Sequence, residues 1–378
     1  MRILQVVPSY KPAYVYGGPI ESVAKLCEGL VAAGHTVAVY TTTANGTTEL
    51  PVEPNKTVVV DGVPVTYFKR ITKDHTHISP ALWRQLYKHC SDYDVVHIQS
   101  WWNILVIVAA IICHLRKAKV VISPRGMLSE YIFTATNSKV KQLIHSLAGK
   151  RALAKSYFHA TSQAEFEECK ELIPEWQGFM IPNILTLPDI PIKKEKNKQF
   201  VLLFLSRIHP KKGIEFLLEA LHKTTLPICL RIAGTGEEAY INELKQKAKD
   251  WSIEHKVEWI GWKDRNAKFE ELMKADLFVL VSHNENFANV VIESLHAGTP
   301  VLVSDKVGLA AFVKAENMGW VTELNADAVA GKLASISTQQ QQLQWIQEHS
   351  RTLIDRLFSP QELIRQYVQQ YEQLCSDH

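Results

Sequence analysis

Short apolar runs alternate with amphipathic stretches along almost the whole chain, and this rhythm limits the fold more than any other feature. MRILQVV (1–7) reads as a buried strand, and after a loop at 8–19 an amphipathic helix at 20–33 is closed by Gly34. The second strand is 35–41. Further strands are expected at 57–60, 64–68, 94–98, 119–123 and 157–160, with helices at 80–90, 103–117 and 138–154. Strands separated by helices of this length form a parallel, doubly wound α/β sheet. Ligands of such sheets sit at the carboxyl ends of the strands.

At 378 residues the chain exceeds a comfortable single core, so two domains are expected. The first is 1–183, ending at Ile181-Pro182-Asn183. A linker at 184–198 holds Pro188, Pro191 and a charged run, and the second domain, 199–360, restarts with a strand at 200–206. A last helix near 361–378 is expected to return to the first domain. Hydrophobic content of 46% with 21% charged residues is that of an ordinary globular protein, and a net charge of +3 argues against a dedicated nucleic-acid binder. Cys27, Cys90, Cys113, Cys169, Cys229 and Cys375 show no C-x-x-C pairing and read as reduced thiols of a cytoplasmic protein. The opening run is too short for a signal peptide, and the longest apolar run, 104–113, is half a membrane span.

Two stretches of the second half carry chemistry. The run 276–281 (DLFVLV) reads as a buried strand and 288–297 as a helix, with Gly298 in the left-handed stop position and Pro300 beyond. Glu285 precedes that helix and Glu293 lies little more than one turn inside it, so the pair can face one crevice. The amides of Phe287, Ala288, Asn289 and Val290, with Asn286 ahead of them, favour an anion such as a diphosphate. In 200–213 a strand ends at Ser206, Arg207 leaves it, and Lys212-Gly213 opens a helix at 214–222; two cations on one loop can grip a diphosphate from two sides. Gly234-Thr235-Gly236 follows a strand at 228–233. In the first half, Gly17-Gly18 lets backbone amides approach a ligand closely.

Together these stretches resemble glycosyltransferase family 4, retaining enzymes of the GT-B fold with two facing Rossmann-like domains and an interdomain cleft. S-R-x4-K-G matches at every fixed position, and Glu285 to Glu293 matches the family's E-x7-E. Where the family usually has Gly-Phe-Gly after the first glutamate, this chain has Asn286-Phe287-Ala288-Asn289, as in a branch of bacterial polysaccharide enzymes. The resemblance implies sugar transfer, without a metal or other cofactor, from a nucleotide diphosphate sugar to a glycan or lipid-linked acceptor. Arg207 and Lys212 would stabilise the leaving diphosphate, Glu285 would hold the transferred sugar and Glu293 the ribose. Gly234 matches the family's G-x-G, Gly261 lies in a segment (257–262) that reads the base, and Gly17 and Gly18 would meet the donor diphosphate.

D-V-V-H (94–97) resembles another family strand. Trp101 and Trp102 after it either offer flat faces to a sugar at the cleft mouth or pack in the core. His97 reads as a core histidine. Arg125 stands where many members carry a histidine, and its fork of donors suits the donor sugar, the acceptor or a phosphate. Asp92-Tyr93-Asp94 falls at the wrong end of its strand for a metal site. Lys139, Lys141, Lys150, Arg151 and Lys155 make 138–155 a basic amphipathic helix that either rests on the inner face of the membrane, or an acidic acceptor, or is simply solvated. A sugar-nucleotide epimerase and a catalytically silent partner subunit are the rival readings; a dinucleotide oxidoreductase lacks its G-x-G-x-x-G.

Overall fold

The computed structural model describes residues 1–129, 131–132, 149–192 and 197–376. The chain divides into two compact units, Met1–Thr186 with Phe358–His378, and Leu187–Leu357. The first is built on β1 (Arg2–Val6), β2 (Thr36–Thr42), a two-residue hairpin of β3 (Ala44–Asn45) and β4 (Thr48–Glu49), then β5 (Thr57–Val60), β6 (Val63–Phe68), β7 (Val95–Gln99), β8 (Val120–Ser123), β9 (Tyr157–Ala160) and β10 (Gly178–Met180). Eight of these form one sheet in the order β10-β9-β8-β7-β1-β2-β6-β5. All its pairs are parallel except β5 with β6. The strand order reverses between β1 and β7, which is where a doubly wound sheet opens a crevice.

Side chains of a strand alternate between faces, and here that rule sorts the core. Leu4, Val6, Val96 and Ile98 pack with Leu82, Leu86 and Leu105 on one side. Ile3, Val95 and Val121 pack with Val23, Leu26, Leu363, Tyr367 and Tyr371 on the other. His97, two residues beyond Val95, therefore meets the C-terminal helix Pro360–Ser376. It is fully buried, with Nδ1 2.7 Å from the Tyr371 hydroxyl and Nε2 2.7 Å from Ser123 Oγ. Ser123 Oγ also lies 2.6 Å from His159 Nδ1, and His159 Nε2 is 2.9 Å from the Tyr367 hydroxyl. Lys119 binds the last carbonyls of the helix, those of Leu374 and Cys375, at 3.2 and 2.6 Å, a favourable place for a cation.

The second unit is a single parallel sheet of β11 (Phe200–Leu205), β12 (Ile228–Ala233), β13 (Val257–Gly261), β14 (Leu277–Leu280), β15 (Val301–Ser304) and β16 (Gly319–Thr322), ordered β13-β12-β11-β14-β15-β16. Its order reverses between β11 and β14. The start of the proline-containing stretch expected as a linker is anchored within this unit. His296 Nε2 lies 2.9 Å from the Pro188 carbonyl, and Arg351 donates to the carbonyls of Pro188 and Ile190. Of the basic segment 138–155, residues 138–148 lie outside the described residues, and the described end is the helix Lys150–Ala154. All six cysteines are free. No described helix is long and apolar enough to cross a membrane.

Removing the Tyr371 hydroxyl leaves His97 Nδ1 buried without that partner. Tyr371→Phe should lower the unfolding free energy by about 1–2 kcal/mol in urea denaturation; an unchanged midpoint would mean the contact adds nothing.

Candidate active site

The exit loops of β11 and β14 lie side by side at the reversal point of the second sheet. Gly213 makes this possible. It adopts φ 65°, and a Cβ there would stand 2.1 Å from the Val281 carbonyl oxygen, so only glycine fits. The His283 N–H donates to the Lys211 carbonyl at 2.9 Å and ties the loops together. Lys212 and Glu285, 73 residues apart in the chain, consequently form a largely buried ion pair. Glu285 is fixed through its backbone as well: its N–H donates to the Lys306 carbonyl (3.1 Å) and its carbonyl accepts from Gly308 (2.7 Å).

Two further cations surround this pair. Arg207 is exposed and makes no hydrogen bond or ion pair among the described residues. Lys211 is half-buried, and burial pulls its pKa down; Lys212 and Arg207 push the same way while Glu285 opposes them. Three cations around one carboxylate leave an excess of positive charge at the strand ends, which is what a diphosphate requires.

Phe287 is buried and anchors the start of the helix Asn289–His296. Ala288 caps that helix at φ 63° and ψ 71°, a left-handed conformation that a side chain disfavours. This explains the glycine that resembling sequences use here. Asn286, Asn289 and Val290 are half-buried around the helix start. Glu293 is turned inward and pairs with Lys268 at 2.6 Å. The two glutamates thus each hold a lysine, one from the β11 exit and one from the helix Arg265–Lys274.

Gly234 and Gly236 allow close packing of the β12 exit against the β11 exit. A Cβ on Gly234 would meet the Ser206 carbonyl oxygen at 1.9 Å, and one on Gly236 that of Ile208 at 2.0 Å. Gly261, at φ 67°, is exposed, with nothing near its Cβ position, and its carbonyl accepts from the Gly234 N–H at 2.9 Å.

In the first unit Gly17 (φ 77°) caps the helix Gly18–Ala32 and faces open space. The Trp101 side chain is a correction to the sugar-stacking reading. It is fully buried among Leu105, Val106 and Ile98, because the strained turn at Ser100 (φ 78°) folds it back into the core. Its indole N–H finds no partner among the described residues. Trp102 is half-buried against the same cluster and donates to the Met127 carbonyl. Arg125 stands at the carboxyl end of β8 and donates to Gln99 and Asn183.

These two sheets, each with a strand-order reversal, have the architecture of the GT-B glycosyltransferases. A family model described as glycosyl transferases group 1 matches residues 188–352, and one described as a glycosyl transferase 4-like domain matches 17–183. Between them they cover most of the chain, which belongs to this glycosyltransferase family. An uncharacterized glycosyltransferase of Methanocaldococcus jannaschii is 28% identical over 360 residues, 87% of each chain. The lipopolysaccharide core biosynthesis glycosyltransferase LpsE of Rhizobium meliloti is 31% identical over 125 residues, 33% of this chain and 35% of LpsE. The crystal structure of HepE from Anabaena in complex with UDP superposes with a TM-score of 0.75 at 20% identity, covering 99% of this chain and 100% of HepE.

Sequence reasoning missed Lys268, Gln99 and Asn183 as members of these sites. Lys211 was visible beside Lys212 and was passed over. Ala288→Gly should raise the unfolding free energy by about 0.5–1 kcal/mol by relieving the left-handed cap; calorimetry showing no rise would mean the cap carries no strain.

Proposed function

We propose that this chain transfers a hexose from a nucleotide diphosphate sugar, UDP- or GDP-linked, to a glycan or lipid-linked saccharide, with retention at the anomeric carbon and without a metal ion. Assembly of bacterial exopolysaccharide, lipopolysaccharide or capsule is the proposed setting. The observation that carries the reading is the Lys212–Glu285 pair flanked by Lys211 and by Arg207, which has no partner among the described residues. The UDP held by HepE supports the donor class, and the name of LpsE supports the setting.

In this reading the diphosphate lies on Arg207, Lys211 and Lys212, near the first turn of the helix Asn289–His296. As the bond from the anomeric carbon to the phosphate oxygen breaks, those cations offset the charge that develops on the departing diphosphate. The acceptor oxygen bonds to the same face of the sugar, and its proton passes to a donor phosphate oxygen. Glu285 holds hydroxyls of the transferred sugar, and Glu293, beside Lys268, holds the ribose. Gly261 lies where the base would be read. Gly17, Gly18, Trp102 and Arg125 are the residues of the first unit proposed to meet a substrate. A cytoplasmic location with peripheral membrane contact completes the proposal and rests on the basic character of 138–155.

Melting curves with UDP-, GDP- and ADP-sugars test the donor class. One nucleotide family should stabilise the wild type and not Lys212→Ala, in which turnover should also fall by about 10²–10³-fold; no shift with any of them would overturn the reading. Glu293→Gln should weaken binding of that nucleoside diphosphate by about tenfold while sparing inorganic pyrophosphate, which has no ribose. Equal affinity for the nucleotide would place the ribose elsewhere.

A further inference from the structure

Arg125 carries its charge where no described carboxylate pairs with it. Its Nε and Nη2 donate to Gln99 Oε1 at 3.1 and 2.9 Å, and its Nη1 donates to Asn183 Oδ1 at 2.5 Å. Both acceptors are neutral amides. The orientation of the Gln99 amide is set from its other end, where Nε2 donates to Gln5 Oε1 at 2.9 Å. No described carboxylate lies within ion-pair distance of the guanidinium. The nearby buried carboxylate, Glu165, accepts from the N–H of Gly126 (2.6 Å) and from the N–H and hydroxyl of Thr161 (2.8 and 3.0 Å).

The surroundings beneath Arg125 do not absorb the charge either. Gln5, His97, Gln99 and Ser123 lie in line on one face of the sheet and lead toward it. Burial lowers the pKa of both His97 and His159, and Arg125 adds to that effect. A half-buried cation ringed by neutral dipoles is costly unless an anion joins it. The backbone is held for this purpose as well: Arg125 sits at φ 59° and Gly126 at φ 73°, and strain of this kind collects at ligand sites.

A guanidinium has five N–H donors, and three are engaged here. The remaining two, one on each terminal nitrogen, match the spacing of two oxygens of a single phosphate or carboxylate. We infer that Gln99 and Asn183 are positioning residues that present Arg125 to an oxyanion of the substrate, carried either by the donor diphosphate or by an acidic group on the acceptor. The inference rests on the reading of the β8 exit loop as part of the substrate site, and it adds the ligand's chemistry and the residues that aim the arginine.

The test titrates full-length wild type, Gln99→Glu, Asn183→Asp and Arg125→Lys with UDP, inorganic phosphate and glucuronate by calorimetry. The first two variants set a carboxylate against the guanidinium, and the third keeps the charge but loses the paired donors. At least one oxyanion should bind about tenfold more weakly in all three. If UDP is the one weakened, the donor is the source; weakening of phosphate or glucuronate with UDP unchanged assigns the site to an acidic acceptor. A purely structural role for Gln99 and Asn183 predicts a raised melting temperature in their variants with affinities unchanged. Should Gln99→Glu fail to fold, Asn183→Asp and Arg125→Lys give the same reading. All three ligands within about twofold of wild type in the folded variants would overturn the inference. UDP binding abolished by Lys212→Ala would still leave the transferase reading standing in that case.

Discussion

The ion pair between Lys212 and Glu285 is the contact around which the second unit's candidate site is built. It exists because the β11 and β14 exit loops abut, and Gly213 lets them do so by leaving room for the Val281 carbonyl oxygen where a side chain would collide. A largely buried pair of this kind adds little net stability, since losing water from both ions offsets most of their attraction. Its consequence is electrostatic. Glu285 is one carboxylate among Arg207, Lys211 and Lys212, a grouping that favours an anion with a carboxylate positioned beside it.

The first unit uses the same sheet geometry for another purpose. Period-two alternation places Ile3, Val95 and Val121 against the C-terminal helix, and the next inward positions, Gln5, His97 and Ser123, are polar. Buried polar groups tend to be paired, and here the C-terminal helix brings the Tyr371 hydroxyl to His97 and that of Tyr367 to His159. That network supports the strand ends from which Arg125 projects. A segment distant in sequence therefore helps to shape the β8 exit loop.

Legibility in the sequence followed how local each feature was. Arg207, Lys212, Glu285 and Glu293 stand at fixed offsets from apolar runs, and those runs became β11 and β14 with boundaries within a residue or two. Trp101 was ambiguous because an aromatic residue after a strand satisfies a core or a cleft equally well. Its direction was decided by backbone torsions at Ser100 and Trp102 (φ 21°) that no spacing encodes. Lys268 lies 25 residues before Glu293, and only the crossover from β13 to β14 brings them together. Gln99 and Asn183 close on Arg125 from different strand ends, so their role is a property of the sheet order. The left-handed torsion of Ala288 is a property of the folded loop that residue spacing does not encode.

The cations beside Glu285 are proposed to receive a diphosphate. The most direct measurement is a crystal structure of the protein with a bound nucleoside diphosphate. The account predicts Lys212 Nζ and the Arg207 guanidinium within about 3 Å of diphosphate oxygens. A nucleotide bound elsewhere, with Lys212 still closed on Glu285 and Arg207 directed into solvent, would contradict it.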